Sequence, residues 1–254
     1  MSARVRAYES DLGELGIVML EPLVLLPGMM CDARVFGPQI AEFSKTRATM
    51  VVPLTDGERI EEIASNILTV LPAKFALAGL SMGGIVAMEM LRRAPDRITR
   101  IALMDTNALA ETPQSAAGYE TFVVLARSGR LGEAMAQIIK PDYLAATPRR
   151  ADFLVLIQKM AEALGPELFV QQIRALQRRR DYQSVLRRCK VPATVICGEH
   201  DGLTPVKRHS FMAELIPYAE LRVIEGAGHL PTLEKPADTT EALREWLAQP
   251  FVLQ

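Results

Sequence analysis

The chain has 254 residues, of which 49% are hydrophobic and 23% charged. Its 29 Lys/Arg and 30 Asp/Glu leave a formal charge of −1, which removes the electrostatic case for nucleic acid or an anionic membrane as the main partner. So apolar and balanced a composition excludes a disordered chain and is enough for one or two domains around a large core.

Residues 1–18 hold no strong strand alternation. Arg4 and Arg6 are followed by Glu9, Asp11 and Glu14, which does not read as a secretory signal. This stretch reads as an extension, or a misassigned start, ahead of the first clear strand, Leu23–Leu26, which Pro27-Gly28 closes. Ala48–Val52 is the second strand, and Ile60–Leu71 follows it as a helix, with Ile60, Ile63, Ala64, Ile67, Leu68 and Leu71 at close to a 3.6-residue period. Phe75–Ala78 is the third strand, followed by a helix over Gly84–Arg93 that Pro95 stops. Ile101–Met104 is the fourth strand.

From Ala108 to Lys190 no strand is convincing. Helical patterns there are punctuated by Pro113, Pro141, Pro148 and Gly165-Pro166. This segment reads as a helical cap inserted between the fourth strand and the fifth, Ala193–Cys197. A helix over Leu203–Ala213, a sixth strand at Leu221–Ile224 and a terminal helix at Thr239–Leu247 complete the chain. Short, uniformly apolar strands alternating with helices predict a mostly parallel sheet covered on both faces. The expected division is a core of residues 1–107 and 191–254 with a cap of 108–190.

No apolar run reaches the ~18 residues of a membrane helix. Cys31, Cys189 and Cys197 lack disulfide-framework or zinc spacing, so a reducing, cytoplasmic setting is expected. Cys31 reads as an inert buried thiol.

Gly79-Leu80-Ser81-Met82-Gly83 is a G-x-S-x-G pattern set between a strand and a helix. In that context the turn forces Ser81 into a strained conformation that presents its hydroxyl. The bland alternative is a Gly-rich turn holding a phosphate at a helix N-terminus. A serine nucleophile needs a base, and the candidates are His200, His209 and His229. His229, in the loop after the sixth strand, is at the same sheet edge as Ser81. His209 reads as a surface residue on a helix, and the side chain of His200 would diverge from its neighbour Asp201. Asp201, past the fifth strand, is the favoured acid; Asp105, past the fourth, is a substitute at the same edge. Asp201 also reads as a helix cap.

The order Ser81, Asp201, His229 and the placement of each after a strand resemble the α/β-hydrolase superfamily. The likeness runs from about Leu23 to the C-terminus. Gly-Leu-Ser-Met-Gly-Gly resembles the elbow of its esterases and enol-lactonases, and Gly-Glu-His-Asp-Gly-Leu-Thr-Pro and Gly-Ala-Gly-His-Leu-Pro-Thr-Leu-Glu-Lys-Pro resemble its acid and histidine loops. The resemblance implies a serine hydrolase of carboxylic esters, with a Ser81–His229–Asp201 triad and an oxyanion hole formed by the backbone amides of Met82 and Met29. Most relatives have His-Gly where this chain has Pro27-Gly28. Neither metal nor organic cofactor is implied.

Within residues 108–190, thirteen Lys/Arg face eight Asp/Glu, an excess of +5. One reading is attraction of an anionic ester or an acidic acyl-carrier protein, as in superfamily esterases that cleave a pimeloyl-carrier-protein methyl ester; the other is a solvated helical face. Lactonase and cofactor-free haloperoxidase chemistry share the triad. Carbon–carbon bond hydrolases usually carry Asn where Leu80 stands, and dehalogenases and epoxide hydrolases carry Asp in place of Ser81. A non-catalytic small-molecule receptor is the remaining class.

Overall fold

A computed structural model describes residues 20–250. The expected N-terminal extension, residues 1–18, lies outside them. Six strands form one sheet: β1 (Leu23–Leu26), β2 (Thr49–Val51), β3 (Phe75–Leu80), β4 (Ile98–Met104), β5 (Ala193–Gly198) and β6 (Ala219–Ile224). They lie in the order β2-β1-β3-β4-β5-β6, and every pairing is parallel.

The alternation of side chains along each strand divides the interior in two. Leu23, Leu25, Ala76, Ala78, Ala102 and Met104 share one core. It is covered by α1 (Gly37–Phe43) and the terminal helix α11 (Pro236–Ala248). Val24, Leu26, Phe75, Leu77, Ile101 and Leu103 face the other side. There they meet α2 (Ile60–Val70), α3 (Met82–Arg93) and α9 (Val206–Leu215). Two buried faces explain why the strands read as continuous apolar runs. β4 begins three residues before the expected Ile101. The buried Arg100 broke the apolar pattern there; its guanidinium bonds Glu21 and the backbone carbonyls of Trp246 and Gln249.

Between β4 and β5 the chain forms α4 (Pro113–Arg127), α5 (Leu131–Ile138), α6 (Arg150–Leu164), α7 (Pro166–Gln177) and the short α8 (Gln183–Leu186). A last short helix, α10 (Pro231–Glu234), precedes α11. Among the described residues no helix is long and apolar enough to cross a membrane.

From β1 the chain moves out to β2 and then returns to β3 on the other side of β1. Loops leaving β1 and β3 therefore diverge and open a crevice at the carboxyl end of the sheet, where ligands bind in open α/β sheets.

Candidate active site

Ser81 follows β3 at that crevice. Its backbone sits at φ 53° and ψ −116°, a region that costs an L-residue roughly 1–3 kcal/mol. α3 starts at the next residue, two residues earlier than expected, so Gly83 and Gly84 are inside it. A Cβ on Gly83 would lie 2.2 Å from the Leu26 carbonyl oxygen, and one on Gly79 would lie 2.3 Å from that of Gly83. Only glycine lets the helix approach β1 this closely.

His229 is 1% exposed. Its Nδ1 is 2.9 Å from Asp201 Oδ2, and its Nε2 is 3.1 Å from Ser81 Oγ. An ionised carboxylate can only accept, so Nδ1 carries the proton and Nε2 is left to accept from the Ser81 hydroxyl. Burial raises the Asp201 carboxyl, but the neighbouring His229 and the bonds from Thr204 outweigh that and hold it at about 2.

Asp201 both meets the imidazole and forms a turn. Oδ1 accepts from the Leu203 and Thr204 amides, and Oδ2 accepts from Thr204 Oγ1 and from His229. The following helix begins at Val206, later than expected, with Pro205 at its cap, so Asp201 holds the preceding turn rather than the helix end. Asp105 does not bond His229. One of its oxygens accepts from Gly198 N–H at 2.9 Å. Full burial and the charge of Asp201 push its carboxyl well above the usual range. Asp105, Asp201 and His229 have ligand atoms within 4.8 Å of one another, but the four donors already on Asp201 occupy the lone pairs a metal would use.

Met82 and Met29 line the same cavity as Ser81 and His229. Among the described residues neither amide donates to any group. Two backbone donors left unpaired beside a cavity are what a developing oxyanion requires.

Several residues that hold this arrangement were not expected from the sequence. His209, expected at the surface, is fully buried. Its Nε2 accepts from Thr106 N–H at 3.0 Å, and Thr106 Oγ1 donates to the Ser81 carbonyl at 2.7 Å. Burial lowers the imidazole to about 4, which keeps Nε2 available as an acceptor. The signal was present: His209, Met212 and Ile216 are spaced i, i+3, i+7 on one inward face. Gln172 is a polar residue among Phe169, Ile173 and Leu176 on the apolar stripe of α7. It accepts from Met30 N–H at 2.8 Å and donates to the Leu54 carbonyl at 2.9 Å, pinning the loop that carries Met29.

Glu234 clamps the histidine loop. Its carboxylate accepts from the amides of Gly228 (3.0 Å) and Leu230 (2.9 Å), on either side of His229, and of Ala145 (2.7 Å). His229 N–H itself donates to the Tyr143 carbonyl at 2.8 Å. The contact is close: a Cβ on Gly228 would lie 2.5 Å from the Leu144 Cα. His200 stays exposed against Glu199. Cys31 lines the cavity, but burial, with the charge of Asp32, pushes its thiol up to about 12, which leaves it unreactive at neutral pH.

The cavity has a volume of about 500 Å³. Its floor is the sheet edge, and α4, α5 and α7 supply Tyr119, Phe122, Ile138 and Leu176 to its walls.

Known proteins share this fold. The chain is 24% identical over 205 residues to a pimeloyl-[acyl-carrier protein] methyl ester esterase from Chromobacterium violaceum, covering 79% of each. It is similar to a solved thermophilic esterase from Thermogutta terrifontis, with TM-score 0.80, 26% identity and 90% of each chain covered. The enol-lactonase from Burkholderia xenovorans has the same fold, with TM-score 0.80 at 24% identity, over 91% of this chain and 93% of that one. Residues 60–236 match the family model for the alpha/beta hydrolase fold, and with its parallel sheet and strand-end serine the chain belongs to that family.

Proposed function

We propose that the protein is a serine hydrolase of carboxylic esters, with Ser81, His229 and Asp201 as its triad. The observation that carries this is the unbroken line from Asp201 through His229 to a serine in the strained turn, beside two unpaired amides. His229 takes the proton as Ser81 Oγ attacks the ester carbonyl. Asp201 holds the imidazole and stabilises the imidazolium, while the Met82 and Met29 amides receive the oxyanion. His229 then protonates the leaving alcohol, and water cleaves the acyl-enzyme by the same route in reverse. The names of the relatives support ester chemistry.

In this reading residues 108–190 form a cap that shapes the substrate cavity over a core of 1–107 and 191–254. An acyl-carrier protein as the bearer of the acyl group is supported by the named relative and by Arg180, Arg187, Arg188 and Lys190, which are exposed. Part of the basic excess is offset from outside the stretch, by Glu58 at 3.6 Å from Arg178.

The test is hydrolysis of p-nitrophenyl esters from acetate to dodecanoate, with Ser81→Ala in parallel. Turnover with a preferred chain length, lowered roughly 10⁴-fold or more in the variant, is the expected result. Equal turnover by both proteins would remove Ser81 from the mechanism.

A further inference from the structure

The cavity has a polar pole as well as apolar walls. Glu111 and Arg179, both lining it, form an ion pair at 2.9 Å with side chains 9% and 10% exposed. Two hydroxyls donate to Glu111, Tyr119 Oη to Oε1 and Ser115 Oγ to Oε2, and Arg179 Nη2 pairs with Oε1. The carboxylate is thus well supplied. The guanidinium is not. Its Nε donates to the Leu109 carbonyl at 2.9 Å and its Nη2 is ion-paired with Glu111, but among the described residues no group accepts from Nη1. Asn107 is similar: its Oδ1 accepts from Leu109 N–H, and no acceptor among the described residues takes its amide protons. Spare N–H donors on the wall of a largely apolar cavity match an oxygen acceptor on the ligand, since a ligand lacking one leaves them unpaired when water is expelled. Glu111 cancels the charge of Arg179, so the pole favours an uncharged acceptor over a second anion.

We propose that the site selects esters bearing a second, uncharged oxygen acceptor, a ketone or amide carbonyl, several bonds from the scissile carbonyl, with Arg179 as the residue that reads it. This rests on the ester-hydrolase reading above. It goes beyond that reading by making specificity depend on a donor in the wall as well as on chain length.

The test is a ratio of kcat/KM values within matched pairs. On the acyl side the pair is p-nitrophenyl 5-oxohexanoate and p-nitrophenyl hexanoate. On the alcohol side it is 4-oxopentyl acetate and pentyl acetate. The wild type is expected to favour the keto member of at least one pair by about tenfold, the scale of one hydrogen bond from a charged donor. That ratio is expected to fall to near one in Arg179→Met. The double variant Glu111→Gln/Arg179→Met removes both charges together and gives the same reading if the single variant does not fold. A wild-type ratio near one in both pairs, or a preference that survives in the variants, overturns the proposal. So does faster turnover of the mono-p-nitrophenyl ester of adipic acid than of the ketone, which would make the recognised group an anion. Absence of turnover of every ester, together with failure of Ser81 to react with a fluorophosphonate, would instead remove the ester-hydrolase reading, and this inference with it.

Discussion

The carboxyl edge of the sheet and the helical insertion after β4 are built to different tolerances. At the edge, a Cβ on Gly79, Gly83, Gly198 or Gly228 would lie between 2.0 and 2.5 Å from another backbone atom. In the insertion, one on Gly118 or Gly129 would meet nothing within 4 Å, and one on Gly132 would only touch the end of Gln158 at 3.6 Å. The edge is backbone packed on backbone, which cannot move aside. The insertion is side chain packed on side chain, which can repack. A site that holds reacting atoms in place belongs on the first kind of surface, and a wall that sets substrate shape can be drawn from the second.

The sharpest way to break this contrast is a pair of glycine substitutions. Gly83→Ala is expected to cost roughly 3 kcal/mol of stability or to prevent folding, whereas Gly118→Ala, on the exposed face of α4, should gain about 0.5–1 kcal/mol from helix propensity. Urea denaturation of both variants measures it, and equal effects would end the distinction. Next in size is Glu234→Ala. Freeing three amides around His229 should lower kcat about 100-fold with KM changed far less, as expected when the lost interaction positions the base rather than binds substrate. A change confined to KM would place Glu234 outside the catalytic geometry.

His209 gives a prediction in pH. Its folded value, about 4, lies below the ordinary 6.5. Between those values the unfolded chain binds the proton and the folded one does not, so the stability due to His209 is full above pH 6.5 and is lost as pH falls toward 4. At pH 5 the loss is about 2 kcal/mol relative to pH 7. Asp105, raised in the fold, works in the opposite sense below neutrality, so the measurement is the difference between wild type and His209→Gln, unfolded in urea at pH 7 and pH 5. A difference that does not change with pH would show that the imidazole is not held neutral. The smallest expected effect is that of Gln172→Leu, where releasing the Met29 loop should lower kcat about tenfold. Unchanged kcat would separate the insertion from the oxyanion donors.

This contrast also explains what could be read from the amino acids alone. The six strands and the order Ser81, Asp201, His229 were legible because close backbone approach demands glycine at fixed places, and burial on both faces demands unbroken apolar runs. His209 and Gln172 were not found, because each bonds backbone groups distant in sequence: His209 and Thr106 are 103 residues apart, and Gln172 and Met30 are 142. Glu234 was not found because its bonds to the Gly228 and Leu230 amides depend on how the loop folds back on itself. The spacing of His209 with Met212 and Ile216 did point inward, but a charged-type residue on a short helix was read by its polarity instead. Asp105 and Asp201 sit at equivalent strand ends; the sequence favours Asp201, and that is the one whose carboxylate meets the imidazole.

The contact of Tyr143, Leu144 and Ala145 with the histidine loop places a seam inside the insertion. The Tyr143 carbonyl and the Ala145 amide are bonded into the support of His229, so this tripeptide works with the sheet edge even though it lies in the stretch that shapes the cavity. The insertion is therefore not a detachable module. Chimeras that exchange it between relatives should be joined on either side of residues 143–145, keeping these from the host, so that new specificity can be grafted without unseating His229.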